Sequence, residues 1–257
     1  MLTKRRAVHK CFCCKRLTDC RFESLVKAFF CAECFTRRGS SVANTAMKGK
    51  EQKRLPPFSI EFEVQRPGGV GLLKYGFIRS SDPTVREEYK SPIYRSLDPF
   101  YPALEMLKKL SSLVGSSCGT HIHVECCVKE KVSVYYHAIF GRLLEYMVQH
   151  RQETSDFWGR NFCRYACSRW DGRYSAFNPL SDYPTLEYRL PRFRSKEQFL
   201  AVLWFVRRCT SILNRKLSTE NVSPAELGEE ILHLYIRALS REHSPAPELE
   251  LVERHAG

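Results

Sequence analysis

The 257-residue chain has no long hydrophobic run. Its densest apolar stretch, Ala201 to Val206, falls far short of the roughly 18 residues a membrane helix needs, so a membrane protein is not expected. No apolar core follows the basic start, Met1 to Lys10, so a secretory leader is not expected and a cytoplasmic location is. Internal repeats are missing as well. Acidic residues are in short supply, 28 Asp and Glu against 41 Lys and Arg, leaving a net charge of +13. With 43% hydrophobic and 27% charged residues, the composition is that of a globular chain long enough to bury a core.

The charge is uneven. Residues 1–54 hold 14 Lys/Arg and 4 Asp/Glu, an excess of +10. Such a segment attracts polyanions, so nucleic acid or another macromolecular target is a candidate partner; a solvated basic arm is the plainer alternative. Cysteine is also concentrated there, with six of the 12 in the first 34 residues. Cys11 and Cys14 form one CxxC and Cys31 and Cys34 a second, with 16 residues between. Two such knuckles suit a tetrahedral thiolate zinc site, whose metal supplies the folding energy that so small a core lacks. Cys13 and Cys20 are spare and able to substitute. Disulfides are the competing reading, disfavoured by the expected compartment. A zinc-ribbon-like module over 1–36, a basic linker over 37–57, a main domain over 58–217 and a C-terminal helix and tail over 218–257 follow from these shifts in composition.

The main domain opens with clean alternation. Phe58, Ile60, Phe62 and Val64 fall on one side of a strand, and Ser59, Glu61, Glu63 and Gln65 on the other. Glu61 and Glu63 then project from one face about 7 Å apart. They repel unless positive charge or solvent relieves them. Thr120–Cys126 repeats the pattern, with His121, His123 and Glu125 opposite Ile122 and Val124; Gly119 before it permits a close backbone approach. Pro184–Leu190 does so again, with Glu187 and Arg189 opposite Leu186, Tyr188 and Leu190. Three such strands in one sheet would bring carboxylates and imidazoles to a face suited to a hard metal and phosphate.

Helices are expected between the strands: Pro99 to Leu113, a long one from Lys129 to Gln152, one capped by Ser195 with Gln198 three residues on, and one opened by Ser223, Pro224 and Glu226. Their leucine and aromatic stripes read as packing faces. The fold class is α+β: a largely antiparallel sheet, helices on its apolar face and an open polar face.

Five pieces in order carry a resemblance to a known family. They are the Glu61–Glu63 strand; Asp82 followed by Glu88 to Pro92; Cys118-Gly-Thr-His121-Ile-His123; Arg173 to Asn178; and Thr185-Leu-Glu187-Tyr-Arg189. Over roughly residues 57–215 the chain resembles the amidoligase family, carboxylate–amine ligases similar to glutamine synthetase and glutamate–cysteine ligase. The double CxxC also fits, since such a module accompanies some members. Two segments depart from the pattern. Leu190 to Arg194 stands where a Gly-Thr turn is usual, and the spacer from Glu63 to Asp82 is short, with Gly68, Gly69 and Gly71 clustered. Both lie where substrate would be held.

The resemblance implies a glutamine-synthetase-like catalytic fold. It also implies ATP-dependent amide or isopeptide-like bond formation through an acyl phosphate, joining a small-molecule or peptide carboxylate to an amine. By the same resemblance Glu61, Glu63, Glu88, His121 and Glu187 would hold two or more Mg²⁺ ions bridging the ATP phosphates, and His123, Arg192 and Asn178 would contact nucleotide or substrate. Arg189 would stabilise the transferring phosphoryl group, with Arg173 assisting and Asp82 orienting the amine or taking its proton. Glu87 and Glu125 read as surface charges. A different class remains open: a zinc-ribbon nucleic-acid-binding protein on a degenerate ligase-like scaffold. A metal-dependent hydrolase using the same carboxylates and histidines fits Arg189 less well.

Overall fold

The computed structural model describes 55–241, apart from 67, 81–84, 116–117, 165 and 219–221; for 173 and 240–241 it describes the backbone alone. Towards the N-terminus it describes only the backbone of three strands, β1 (Val8–Lys10), β2 (Leu17–Glu23) and β3 (Ala28–Cys31). These form an antiparallel sheet in the order β1-β2-β3, with Cys20 opposite Cys31. Cys11, Cys14 and Cys34 lie outside the described residues, as does the side chain of Cys31, so the zinc site expected of them does too.

The main domain is built on six strands: β4 (Phe58–Val64), β5 (Ile78–Ser80), β6 (Glu87–Lys90), β7 (Thr120–Glu125), β8 (Phe177–Asn178) and β9 (Thr185–Tyr188). They run in the order β5-β6-β4-β7-β9-β8, and every neighbouring pair is antiparallel. The expected α+β class and antiparallel sheet are present. Among the described residues, no helix is long and apolar enough to cross a membrane.

Alternation decides which face each residue takes. Phe58, Ile60, Phe62 and Val64 of β4, Ile122 and Val124 of β7, and Leu186 and Tyr188 of β9 form one fully buried apolar surface. Each such side chain is worth about 1.5–3 kcal/mol of transfer free energy, so the apolar face anchors the sheet. Helix α5 (Lys196–Leu217) covers it with Phe199, Val202, Leu203, Val206 and Leu213. Ser195 caps that helix, its Oγ accepting from Gln198 N at 3.1 Å. The Gln198 carboxamide reaches back one residue further than a simple capping box, accepting from Arg194 N at 3.2 Å. Tyr188 meets Thr210 of α5 hydroxyl to hydroxyl at 2.8 Å, so a buried polar pair ties strand to helix without an orphaned group.

Helix α1 (Tyr101–Leu110) passes into a 3-10 turn at Ser111–Leu113, close to the expected span. The long helix expected from Lys129 to Gln152 is instead three: α2 (Lys129–Val134), α3 (Tyr136–Gln149) and α4 (Arg151–Trp158). The breaks fall at Tyr135 and His150, whose ψ angles of 16° and 55° leave the helical range. Breaking there delivers Phe157 and Trp158 inward, where Trp158 stacks on Tyr235 at 6.1 Å. Tyr235 belongs to α6 (Pro224–Arg241), whose Leu227, Ile231, Leu234 and Ala238 join the same hydrophobic cluster as the sheet. The C-terminal helix thus packs into the same core as the sheet.

Candidate metal and phosphate site

The register of the sheet assembles the site. Glu61 of β4 lies opposite Lys90 of β6 and His121 of β7. One step along, His123 of β7 lies opposite Glu187 of β9, which lies opposite Asn178 of β8. Directly opposed residues point to the same face with their Cβ atoms about 5 Å apart. Two neighbouring rungs thus place a lysine, two glutamates, two histidines and an asparagine on the face away from the helices. A slip of one residue in any pair would send its members to the apolar core.

The side chains converge. His121 Nδ1 lies 3.3 Å from Glu187 Oε1 and 3.7 Å from Glu61 Oε2. His123 Nε2 lies 3.4 Å from Glu61 Oε1. Glu61, His123 and Glu187 present donor atoms all within 4.8 Å of one another. The polar face expected to be open is nevertheless buried here: side-chain exposure is 12% for Glu61, 4% for His121 and 6% for Glu187. These acids line a cavity of about 910 Å³ together with His123, Asn178, Arg189, Lys90 and Glu88.

Burial makes charge balance the governing question. Burial opposes the Glu61 carboxylate, yet His123, His121 and Lys90 outweigh it and hold the carboxyl well below its usual range. Burial likewise opposes charge on Glu187, but His121, His123 and Arg189 pull it down to about 2. For His121 burial disfavours the cation, and Glu63, Glu187 and Glu61 overcome it, raising the imidazole to about 9. The cluster demands positive charge at its centre. A divalent cation meets the same demand.

The residues fit such an ion. Among the described residues, His121 Nδ1 and His123 Nε2 are buried without a well-aligned hydrogen-bond partner, although carboxylate oxygens stand 3.3–3.7 Å away. Adjacent ligands of a cation bound at about 2.1 Å are separated by about 3.0–3.4 Å, so the spacing suits coordination better than direct pairing. The far nitrogen of His123 is 3.2 Å from Thr185 Oγ1, a contact that fixes the ring. Glu187 is fixed on both sides: Asn178 Nδ2 donates to Oε2 at 2.7 Å and Arg189 Nη1 lies 2.6 Å from Oε1. The mixed nitrogen and oxygen donors suit Mn²⁺ as well as Mg²⁺.

Not every expected ligand joins this group. Glu63 turns inward, where Oε2 accepts from Gly119 N at 2.5 Å and Oε1 stands 3.7 Å from His121 Nε2. It supports His121 from behind. Gly119 makes this possible, since a Cβ there would lie 2.8 Å from both Arg160 Nη2 and His121 Nε2. Glu88 lines the cavity but is bound to Lys90 at 3.1 Å and to the Ser80 hydroxyl. Burial and the neighbouring Glu61 charge push its carboxyl upward. Arg192 does not line the cavity; its Nε donates to Cys118 O at 3.0 Å. Asp82 and the side chain of Arg173 lie outside the described residues. Glu125 is exposed as expected, but Glu87 is buried, accepting from the Tyr89 hydroxyl at 2.7 Å and pairing with Arg79 at 2.9 Å.

Four residues to which the motifs assigned no role stand at or beside the site. Lys90 bridges Glu61 and Glu88, and Arg79 and Arg86 line the same cavity. The signal for Lys90 was present in the alternation of β6, where it shares a face with Glu88. Arg160 is buried beneath the site, donating to Leu190 O at 3.0 Å, Cys118 O at 3.2 Å and Arg189 O. It binds the start of β7 to the segment after β9, and so holds the two site strands in register from outside the sheet. No protein-family model, curated protein or solved structure matches this chain.

Proposed function

We propose that the chain is an ATP-dependent carboxylate–amine ligase. The observation that carries this reading is the convergence of Glu61, His123 and Glu187 from three strands on one buried point, within a cavity also lined by Lys90 and Arg189. The resemblance described above supports the same reading. A cavity of about 910 Å³ is of the size that takes a nucleotide together with a small substrate.

A carboxylate is a poor electrophile and must be activated before an amine attacks it. In the proposed reaction a substrate carboxylate oxygen bonds to the terminal phosphorus of ATP as the bond from that phosphorus to ADP breaks. The amine nitrogen then attacks the acyl carbon, inorganic phosphate leaves, and the amine gives up a proton. The first step brings two anions together and the second releases a phosphate anion, so positive charge is the chief requirement. Glu61, His123 and Glu187 would hold the divalent ion, with His121 beside it; when bound, that ion neutralises phosphate oxygens. Arg189 presents a guanidinium suited to phosphate oxygens, and Glu187 restrains its position at 2.6 Å. Asn178 keeps Glu187 from rotating out of the cluster. Arg79 and Arg86 extend the positive wall of the cavity. Asp82 keeps the amine-directed role that the resemblance implies.

The test is phosphate and ADP release by the purified full chain with ATP, Mg²⁺ or Mn²⁺, and panels of carboxylates and amines. E187Q and R189A are expected to lower turnover by at least 100-fold with unchanged circular dichroism. Turnover at the wild-type rate in both variants would end this reading. The basic N-terminal segment would then favour the nucleic-acid-binding alternative, which predicts binding that weakens steeply with salt and needs no ATP.

A further inference from the structure

Four carboxylates line the cavity, Glu61, Glu88, Asp182 and Glu187, and the three carried by the sheet divide into two groups. Glu61 and Glu187 share the point at which His123 offers a donor, and His121 Nδ1 stands 3.3 Å from Glu187 Oε1 and 3.7 Å from Glu61 Oε2. Glu88 stands apart and is joined to Glu61 by a side chain. Lys90 Nζ lies 2.8 Å from Glu61 Oε1 and 3.1 Å from Glu88 Oε1. Its exposure is 15%, so the ammonium is lodged between the acids rather than solvated. The register builds this arrangement: Lys90 is opposite Glu61, and Glu88, two residues earlier on β6, takes the same face.

We propose that the Lys90 ammonium stands in for a second metal ion, so that the cavity binds one divalent cation, at Glu61, His123 and Glu187, and not two. The inference rests on the ligase reading for the existence of the first ion, but the count is independent of it. Two carboxylates sharing a site need positive charge between them. In two-metal centres a second ion about 3.5–4 Å from the first provides it, with carboxylates bridging the pair. Here Glu61 is the bridging carboxylate, and the far side of the bridge is already occupied by a cation that the chain itself supplies. A second divalent ion would have to displace that ammonium or sit beside a like charge.

The substitution has a chemical consequence. An ammonium donates hydrogen bonds to phosphate oxygens and neutralises their charge, but it has no open coordination position and does not convert a bound water into hydroxide. A site with one metal and one lysine is therefore suited to steadying a phosphoryl group in transit, and ill suited to two-metal hydrolysis. The lysine charge also does not depend on free metal concentration.

The test is Mn²⁺ binding to the full chain as purified, with stoichiometry read from the paramagnetic resonance signal of free Mn²⁺. One Mn²⁺ per chain is expected, lost in E187Q, with no signal from coupled Mn²⁺ pairs. K90M is expected to take up a second Mn²⁺, and K90R to stay at one. Two cavity ions in the wild type, seen as a coupled pair, would overturn the proposal and leave the ligase reading standing. So would a K90M variant as thermally stable as wild type that still binds one. No Mn²⁺ binding at the cavity in the wild type would overturn the metal site itself, and the ligase reading with it. Should K90M fail to fold, the wild-type count and pair signal decide the matter alone.

Discussion

Asn178 and Glu187 face each other across β8 and β9, and the Asn178 amide donates to Glu187 Oε2 at 2.7 Å. The same asparagine accepts from Leu180 N at 2.9 Å through its other end. Its orientation is thus settled by a backbone donor, and its amide hydrogens have to point at the carboxylate. Asn178 touches no reacting group on this account; it positions one.

That placement predicts a separation of binding from folding. N178A removes one of the two groups restraining Glu187 and leaves Arg189 in place. Loss of such a supporting contact typically weakens a metal site by about 10–100-fold. Mn²⁺ affinity of N178A should fall within that range while secondary structure stays unchanged. Wild-type affinity in this variant would show that Glu187 needs no partner on that side.

Arg160 predicts the opposite pattern, a large effect on stability. Its guanidinium donates to three backbone carbonyls, those of Cys118, Arg189 and Leu190, from a buried position. Replacing it by methionine keeps the packing volume but leaves buried acceptors unpaired. Hydrogen bonds to charged groups are worth about 1.5–3 kcal/mol each, and a net loss of about 3 kcal/mol is expected. In a chain of this size that lowers the melting temperature by about 6–12 °C. R160K should not restore it, since an ammonium cannot span the three carbonyls as the planar fork does. A melting temperature within 2 °C of wild type, as an order of magnitude for a surface change, would show that the clamp contributes nothing.

Gly159 offers a backbone test beside it. It ends α4 with φ at +81°, and an added Cβ would come within 2.0 Å of the Arg192 carbonyl oxygen. Left-handed geometry and a collision with backbone act together, and backbone has no rotamer by which to move aside. G159A should cost more than about 2 kcal/mol, measured by denaturant unfolding, and should disturb the neighbouring hydrogen bond that Arg192 N donates to Trp158 O at 2.7 Å. A cost no greater than that of an ordinary helix-terminal substitution would rule out the close approach.

Much of this architecture is legible in the sequence because strand alternation leaves little freedom. Phe58 to Val64 reads as a strand and is one, and the sides taken by Glu61, His121 and Glu187 follow from period two alone. What alternation does not report is depth. A polar face reads the same whether it meets bulk water or a walled cavity, and so the acids expected on an open surface are buried. Neither does it report pairing. Glu88-Tyr-Lys90 enters the sequence reading only as part of a motif, and only the register of β6 against β4 reveals that Lys90 sits on Glu61. The helical stripe from Lys129 to Gln152 is continuous in the sequence, while the chain breaks it at Tyr135 and His150, and the last of the three helices turns Phe157 and Trp158 into the core. The strands β5 and β8, of three and two residues, are too short to carry a pattern at all.

Thiol chemistry separates the described cysteines by burial. Cys127 and Cys163 are exposed, whereas Cys118, Cys126 and Cys209 are buried. Burial pushes the Cys126 thiol up to about 11 and the Cys209 thiol up to about 12. At neutral pH a folded chain should therefore modify at Cys127 and Cys163 and spare Cys126 and Cys209, as peptide mapping after alkylation would show. The same shifts set a pH dependence of stability. Above the ordinary thiol value near 9 the unfolded chain has lost these protons while the folded chain keeps them, so the folded state binds more protons and its stability falls as pH rises. The decline should begin near pH 9 and continue to about 11–12, with a slope of up to about 1.4 kcal/mol per pH unit for each thiol. Urea unfolding at pH 8 to 10 should show this slope in the wild type and a shallower one in C126A/C209A. Equal slopes in the two proteins would mean that these thiols ionise alike in the folded and unfolded states, and that the core around Tyr188 and α5 admits water.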